Sequence, residues 1–301
     1  MNSKIIVIGS SNADMVLKTA RFPKPGETIL GGEFFVFQGG KGANQAVAAA
    51  RLGGEVSFIC KVGNDSFGNV AIAAYANDGI NVGAVLMDDQ APTGVAVITI
   101  NAAGENSIVV ASGANARLSV DDIQQSGNLL KDAGWLLTQL ETPLPVIEFL
   151  AGYARAQNKN LILNPAPAAV LPASVYDNLF LITPNETETE LLTGIEVTDE
   201  ASAKSAALVF KSKGVQNVII TMGSKGAYVD TDSFQGIVES IKVKAVDTTA
   251  AGDVFNGAIT VALAEGKEWK EAVQFACKAA AFSVTKMGAQ ISAPTLKEVT
   301  I

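Results

Sequence analysis

The chain has 301 residues, a formal net charge of −8 and no histidine. Without imidazole there can be no Ser-His-Asp triad, no histidine-ligated zinc and no histidine general base, so carboxylates become the leading candidates for proton transfer. The acidic balance, with Lys and Arg scattered singly or in pairs, argues against a nucleic-acid-binding protein. No segment approaches the ~18 uninterrupted apolar residues of a membrane span. Two cysteines far apart in sequence, Cys60 and Cys277, favour a reducing cytoplasm over a disulfide scaffold.

Short apolar runs alternate with Ala-rich segments of helical spacing along most of the chain. The predicted strands are Lys4–Ile8, Val56–Cys60, Leu136–Leu140, Asn160–Leu163, Leu179–Thr183 and Asn217–Thr221. The predicted helices are Asn44–Leu52, Gly68–Asn77, Val146–Gln157, Ala201–Lys213 and Asp253–Glu265. Continuous apolar strands that alternate with helices predict a parallel sheet covered on both faces, which is an α/β doubly wound fold.

Two segments, Asp14–Phe37 and Thr93–Ala111, lack the helical pattern and contain β-branched, aromatic and turn residues. Within the second, Gly94–Asn101 and Glu105–Ser112 have the spacing of a hairpin. We therefore expect both segments to be insertions that meet as a small separate sheet beside the main domain. Such a sheet could be a lid, and it could also be a dimer surface, since its apolar face needs a cover.

A glycine cluster of sequence Gly-Gly-Lys-Gly-Ala-Asn opens the first predicted helix. It is not a Walker A motif, because Lys41 is followed by Gly42, and it is not a Rossmann motif, because Gln45 occupies the place of the last glycine. Gly40 and Gly42 allow close backbone approach, and the Asn44 amide suits sugar hydroxyls. On this segment alone, a flexible turn is an equally good interpretation.

A second run of small residues precedes the last long stretch of helical pattern. Ala250, Ala251 and Gly252 would let backbone N–H groups approach a phosphate at the start of a helix, beyond the carboxyl end of a strand. Asp253, in the positive field of that helix end, should stay ionised and could accept a proton from an alcohol that attacks the phosphate. The alternative is that Asp253 merely caps the helix. The small residues and the upstream Asp247 favour a site.

Polar groups also follow several other predicted strands. Asp14 can accept two hydroxyl hydrogen bonds, although Asn and Asp are ordinary turn residues after a strand. Glu141 follows the strand that ends at Leu140. The segment 183–188 combines a strand end with acidic residues that could cap a helix. The segment 220–227 has the pattern of a glycine turn between two strands, or of a plain hairpin. All of them fall where strands of one parallel sheet should end, whereas independent turns would be distributed over both edges.

The pairing of the segments 39–46 and 247–253 resembles the two signatures of the PfkB (ribokinase-like) carbohydrate kinases, and the likeness runs essentially end to end. The resemblance implies a three-layer αβα fold with a small β-sheet lid, and a single kinase domain over residues 1–301. It also implies transfer of the γ-phosphoryl group of ATP to O5 of D-ribose. A kinase for 2-deoxyribose, fructose or a nucleoside, and a sugar-binding protein without turnover, remain as alternatives.

The resemblance also implies roles for individual residues. Asp253 would be the catalytic base, and the N–H groups of Ala250, Ala251 and Gly252 would form an anion hole. The sugar-contacting positions would be Asn12, Asp14, Gly40, Lys41, Asn44, Glu141 and Asp253. The nucleotide-contacting positions would be Asn185, Thr221, Gly223, Ser224, Gly226, Gly252 and Cys277. A ring for an activating K⁺ ion would comprise Asp247, Thr249, Ser283, Lys286, Gly288 and Ser292, several of them through backbone carbonyls, and Glu188 would lie in the region that organises Mg²⁺.

Ala250 and Cys277 depart from the pattern of the family. Ala250 occupies a position where members often carry Gly, which narrows the room for the phosphate but keeps the N–H group. Cys277 replaces a histidine that many members place near the adenine, so nucleotide preference is less determined than the sugar. The family resemblance further implies a homodimer that pairs through the small sheets and a cytoplasmic location.

Overall fold

The structure is a computed structural model that describes residues 3–300. Its strands are β1 (Ile5–Ile8), β2 (Asn12–Lys18), β3 (Glu33–Gly39), β4 (Val56–Gly63), β5 (Val85–Asp88), β6 (Gly94–Ile100), β7 (Asn106–Ala111), β8 (Trp135–Thr138), β9 (Asn160–Leu163), β10 (Leu181–Ile182), β11 (Asn217–Thr221), β12 (Ala227–Asp230) and β13 (Gln235–Val238). Its helices are α1 (Lys41–Arg51), α2 (Ser66–Asn77), α3 (Val120–Gln125), α4 (Gly127–Asp132), α5 (Leu144–Gln157), α6 (Ala173–Tyr176), α7 (Glu186–Thr193), α8 (Glu200–Ser212), α9 (Ala251–Ala264), α10 (Trp269–Ser283) and α11 (Leu296–Thr300).

Within residues 3–300 the main sheet has nine strands, in the order β13-β12-β11-β10-β9-β8-β1-β4-β5. The strands from β11 to β5 in that order are parallel, and β12 and β13 form an antiparallel edge. Side chains alternate between the two faces: Ile5 and Val7 join the apolar cluster that includes α1, α9 and α10, whereas Ile6 and Ile8 join the cluster of α5 and α8. Both faces are therefore covered, which confirms the doubly wound prediction.

The small sheet has the order β3-β2-β6-β7 and combines the two predicted insertions. We call it the lid sheet. β2 pairs antiparallel with β3 and parallel with β6, and β6 and β7 form the predicted hairpin. The sheet begins at Asn12 rather than Asp14, because β2 already pairs with β3 at Gly39 and with β6 at Gly94 from Asn12 onward. It exposes many apolar side chains, namely Leu17, Phe34, Phe35, Val36, Val97, Ile108, Val109 and Val110.

Some predicted boundaries were wrong by a few residues, for local reasons. Helix α1 begins at Lys41 rather than Asn44, because Gly40 turns the chain with a φ of 88° and the Ala43 N–H donates to the Ser10 carbonyl. Strand β10 is only Leu181–Ile182, since the N–H of Leu179 is taken by the turn that precedes the strand.

Helices α1 and α9 approach each other closely because both carry small residues at the crossing. A Cβ atom on Gly257 would lie 2.8 Å from the Cβ of Ala48, from the N of Ala49 and from the O of Gln45. The start of α1 is equally close to the end of β1, since a Cβ on Gly42 would lie 2.6 Å from the backbone N of Ser10. This packing places the first turns of α1 and α9 side by side.

Replacing Gly257 with alanine should therefore lower the free energy of unfolding by about 1–3 kcal/mol, because the added methyl group overpacks the crossing. This would occur although alanine is favoured over glycine in helices by about 1 kcal/mol. The matched control is Gly152→Ala in α5, where the added Cβ meets nothing within 4 Å. That control should raise stability by roughly 0.5–1 kcal/mol. Urea unfolding measures both, and equal effects of the two substitutions would contradict the close approach.

Candidate active site

Two cavities lie at the carboxyl ends of the parallel strands. The first, of about 370 Å³, is lined by Asn12, Val110, Ser112, Asn115, Ala116, Leu140, Glu141, Thr142, Pro143 and Pro167. The second, of about 220 Å³, is lined by Lys41, Asn164, Ala166, Thr183, Asn185, Glu188, Thr221, Thr248, Ala250, Ala251, Gly252, Asp253 and Asn256. They adjoin where Glu141, at the edge of the first cavity, accepts a 3.0 Å hydrogen bond from the backbone N–H of Lys41, which lines the second.

The carboxylate of Asp253 is buried in the first turn of α9 and is held by two side-chain amides of α1. Asn44 Nδ2 donates to Asp253 Oδ2 at 2.9 Å, and Gln45 Nε2 donates to Asp253 Oδ1 at 3.0 Å. The residue before the helix, Ala250, makes no side-chain cap, and Asp253 makes none either. The capping interpretation of Asp253 is therefore wrong, because its oxygens are committed to the neighbouring helix and face the second cavity.

Charged groups around Asp253 set its proton affinity. Burial raises the pKa of Asp253, and Lys41 together with the bonds from Asn44 and Gln45 opposes that rise. Burial alone would lower the pKa of Lys41, but the fields of Asp253, Glu141 and Glu188 outweigh it and raise that pKa. Asp253 therefore combines the stronger basicity that burial gives a carboxylate with a cation that stabilises its charged form.

The turn that precedes α9 presents backbone N–H groups to the second cavity. Ala250 has a φ of 61°, a left-handed conformation, and Ala251 N–H donates to the Thr248 carbonyl at 3.2 Å. Asn256 Nδ2 donates to the Gly252 carbonyl at 2.8 Å and fixes the first turn. The N–H groups of a first helical turn have no helical acceptor and carry the positive end of the helix dipole. The turn can therefore hold an anion next to Asp253.

Of the seven predicted sugar-binding residues, Asn12 and Glu141 line the first cavity, Lys41 and Asp253 line the second, and Asp14, Gly40 and Asn44 line neither. Glu141 Oε2 accepts hydrogen bonds from Ser10 Oγ at 2.5 Å and from the Lys41 N–H, and Asn12 Oδ1 accepts from Asn115 Nδ2 at 2.7 Å. Val110 of the lid sheet forms part of the cavity wall.

Two buried polar atoms of the region have no hydrogen-bond partner among the described residues. They are Thr142 Oγ1, which lies in this cavity, and Asn44 Oδ1, whose side chain binds Asp253. Burial, Glu141 and Asp253 raise the pKa of Asp14 to about 7. A ligand rich in hydroxyl groups would provide donors for the Asn44 oxygen and acceptors or donors for Thr142.

The predicted nucleotide contacts are divided. Asn185 caps α7 in a reciprocal capping box with Glu188, and Thr221 lies beside it because its N–H donates to the Pro184 carbonyl. All three line the second cavity, and burial raises the pKa of Glu188. Gly252, also predicted as a nucleotide contact, lines the second cavity as well. The remaining four line neither cavity: Gly223, Ser224 and Gly226 form the turn between β11 and β12, and Cys277 is buried in the apolar cluster of α9 and α10. Lys41, predicted among the sugar contacts, lines the second cavity rather than the first.

The segment predicted to bind K⁺ is organised by Asp247. Asp247 Oδ1 accepts from the N–H and hydroxyl of Thr249, and Oδ2 accepts from the Gly288 N–H at 2.8 Å. Burial raises the pKa of Asp247, but these hydrogen bonds outweigh it and hold the pKa below its usual value. The remaining side chains are used locally: the hydroxyls of Ser283 and Ser292 donate to backbone carbonyls, and Lys286 pairs with Glu298. Among residues 3–300 no cluster of three or more acidic or cysteine side chains is placed to hold a metal ion.

Several site residues were missed by the analysis of the sequence. Gln45, Asn164 and Asn256 lie next to Asp253 or the first turn of α9, and Ser10 and Asn115 fix Glu141 and Asn12. Asn164 directly follows β9 and Ser10 lies two residues after β1, so the rule that polar residues follow strand ends could have found them. Gln45 and Asn256 lie inside helices and give no such signal.

A family model for the pfkB family carbohydrate kinases matches residues 2–296. The chain belongs to that family. It is 48% identical over 298 residues to a ribokinase of Haemophilus influenzae, covering 99% of this chain and 97% of that protein. It is 40% identical over 301 residues to a ribokinase of Staphylococcus aureus, covering 99% of each. The structure of Arabidopsis thaliana ribokinase complexed with ribose and ATP matches with a TM-score of 0.92 and 32% identity, covering 100% of this chain and 98% of that one.

Proposed function

We propose that this protein is a ribokinase, which transfers the γ-phosphoryl group of ATP to O5 of D-ribose. The observation that carries the proposal is the buried Asp253 carboxylate in the first turn of α9, in a cavity that is joined to the first one by the hydrogen bond from the Lys41 N–H to Glu141. Full-length similarity to ribokinases supports ribose over other acceptors. Ribose occupies the first cavity, where Thr142 Oγ1 lacks a partner among the described residues, and its O5 end points to Asp253, beside which Asn44 Oδ1 also lacks one.

The reaction is an in-line displacement in which protons and electrons balance at named groups. The ribose O5 hydroxyl gives its proton to the Asp253 carboxylate while the bond from O5 to the γ-phosphorus forms. The bond between that phosphorus and the bridging oxygen breaks, and the electron pair leaves with ADP. The N–H groups of Ala250 and Gly252 and the ammonium group of Lys41 stabilise the charge on the transferred group, whereas the Ala251 N–H is used by the Thr248 carbonyl.

Two cations complete the proposal. Mg²⁺ travels with ATP and supplies charge neutralisation on the phosphates, and Glu188 with its raised pKa lies at the cavity edge where such a cation would favour its ionised form. K⁺ would be held by backbone carbonyls of the two loops that contain Asp247 and Gly288. Two hydrogen bonds join these loops: the Gly288 N–H donates to the Asp247 carboxylate, and the Val246 N–H donates to the Val284 carbonyl. The Asp247 charge would offset that of the cation.

The protein should convert ribose and MgATP to ribose 5-phosphate and ADP, faster in KCl than in NaCl at equal ionic strength. A coupled ADP assay measures the rate, and a panel with 2-deoxyribose and fructose ranks acceptors by kcat/KM. Ribose should rank first. A folded sample without ribose-dependent ADP would contradict the proposed activity, and equal rates in the two salts would contradict the K⁺ site alone.

Replacing Asp253 with asparagine should lower kcat by about 10²–10⁴-fold, because it removes the base while keeping the side-chain shape. Ribose binding, followed by thermal stabilisation or calorimetry, should be largely retained. The matched control is Asp199→Asn at the exposed N-cap of α8, which should leave kcat unchanged. A normal rate for the Asp253→Asn variant would remove Asp253 from its proposed role.

The lid sheet carries a further part of the proposal, a homodimer formed through its exposed apolar side chains. Val109 and Phe34 are 68% and 60% exposed, which is unfavourable for a face that stays in water. A second copy of the chain would cover them, and the protein would act in the cytoplasm as such a dimer. No helix within residues 3–300 is long and apolar enough to span a bilayer. Light scattering at micromolar concentration should report a dimer, and a monomer would contradict the pairing but not the lid.

A further inference from the structure

Gln45 is fully buried and lines neither cavity, yet its side chain contacts the proposed catalytic base. Its Nε2 group donates to Asp253 Oδ1 and to Asn164 Oδ1, both at 3.0 Å, and so uses both of its hydrogens. Its Oε1 atom accepts a 2.6 Å hydrogen bond from Gln139 Nε2. Both donors of this amide and one lone pair of its oxygen are therefore used by other parts of the chain.

The orientation of the Gln45 amide is determined by a backbone carbonyl. Asn164 Nδ2 donates to the Thr183 carbonyl at 3.1 Å, which leaves Asn164 Oδ1 as an acceptor. Gln45 must then present its nitrogen to Asn164, and the second hydrogen of that nitrogen points at Asp253. A flipped amide would place its oxygen against the Asn164 oxygen and the Asp253 carboxylate, which is unfavourable for buried polar groups.

The same strand end also fixes the anion-binding turn. Thr183 Oγ1 donates to Asn256 Oδ1 at 2.6 Å, and Asn256 Nδ2 donates to the Gly252 carbonyl. Thr183 therefore connects to Asp253 through Asn164 and Gln45, and to Gly252 through Asn256. One residue at the end of β10 therefore helps to position both the Asp253 carboxylate and the first turn of α9.

We infer that Gln45 is a positioning residue for the reaction: it aims the Asp253 carboxylate at the acceptor hydroxyl and favours its ionised form. Gln45 lines neither cavity itself, so it acts on the reacting groups through its bond to Asp253, which its second bond, to Asn164 in the wall of the second cavity, holds in direction. The inference rests on the proposed kinase function.

The decisive variant is Gln45→Met, which keeps the length of the side chain and removes its donors. We expect kcat to fall by about 10²-fold, the scale of a misplacement of about 1 Å, while KM for ribose and for ATP stays near the wild-type value. The acidic limb of the kcat profile should move to higher pH, since a carboxylate that loses a donor has a raised pKa. Gln45→Glu should move it further, because a second carboxylate then faces Asp253.

The other charged groups near Asp253 are unchanged in these variants. They are Lys41 at the start of α1, Glu141 after β8, Glu188 in α7 and Asp14 in β2. The shift of the pH profile therefore reports the amide alone. The control is Val47→Ala, which cuts a fully buried side chain from the same helix and should lower the melting temperature with kcat unchanged.

Wild-type kcat and an unmoved acidic limb in folded Gln45→Met protein would overturn the inference. If both Gln45 variants fail to fold, Gln139→Leu decides, because it removes only the donor to Gln45 Oε1 and Gln139 already has an oxygen without a partner among the described residues. It should lower kcat severalfold at constant KM, and an unchanged kcat would overturn the inference. A wild-type protein without ribose turnover would instead contradict the proposed function.

Discussion

The contact between the Asp253 carboxylate and the amides of Asn44 and Gln45 is the constraint on which the rest of the site depends. The two bonded pairs are separated by 209 and 208 positions in the sequence. The contact exists only because α1 and α9 cross closely at Gly257. A buried carboxylate without donors would be protonated or would destabilise the fold. The small residues of both helices, which resemble ordinary packing choices, therefore allow the Asp253 carboxylate to stay buried with its two donors.

The acidic composition is compatible with phosphoryl transfer because the anion-binding groups are not part of a basic surface. Lys41 is the cation among the side chains that line the second cavity, and it is balanced by the fields of Asp253, Glu141 and Glu188. Backbone N–H groups at the start of α9 contribute positive potential without adding net charge. The absence of histidine has the same explanation, since a carboxylate whose pKa is raised by burial can accept a proton from an alcohol.

Most of the fold could be predicted from local sequence patterns, and the site only in outline. The alternation of apolar strands with Ala-rich helices predicted the layered sheet. The rule that polar residues follow strand ends predicted the edge of the sheet at which Asn12, Glu141 and Asn185 lie. The partners of Asp253 could not be predicted, because they depend on the angle and distance at which α1 crosses α9. The environment of Cys277 could not be predicted either. Its position in the family pattern indicated a nucleotide contact, and in the structure its side chain packs in the apolar core.

Ala250 illustrates how the scaffold stabilises an unfavourable local conformation for function. A left-handed conformation costs an L-residue roughly 1–2 kcal/mol, and Ala250 adopts it with a φ of 61°. The turn is held by the Ala251 N–H bond to Thr248, the Val254 N–H bond to Ala250 and the Asn256 bond to Gly252. Because the Asn256 side chain is in turn fixed by Thr183, strand β10 supports the anion-binding turn and the base together. The floor of the second cavity is therefore held by hydrogen bonds within the protein itself, and these bonds offset the cost of the left-handed conformation of Ala250.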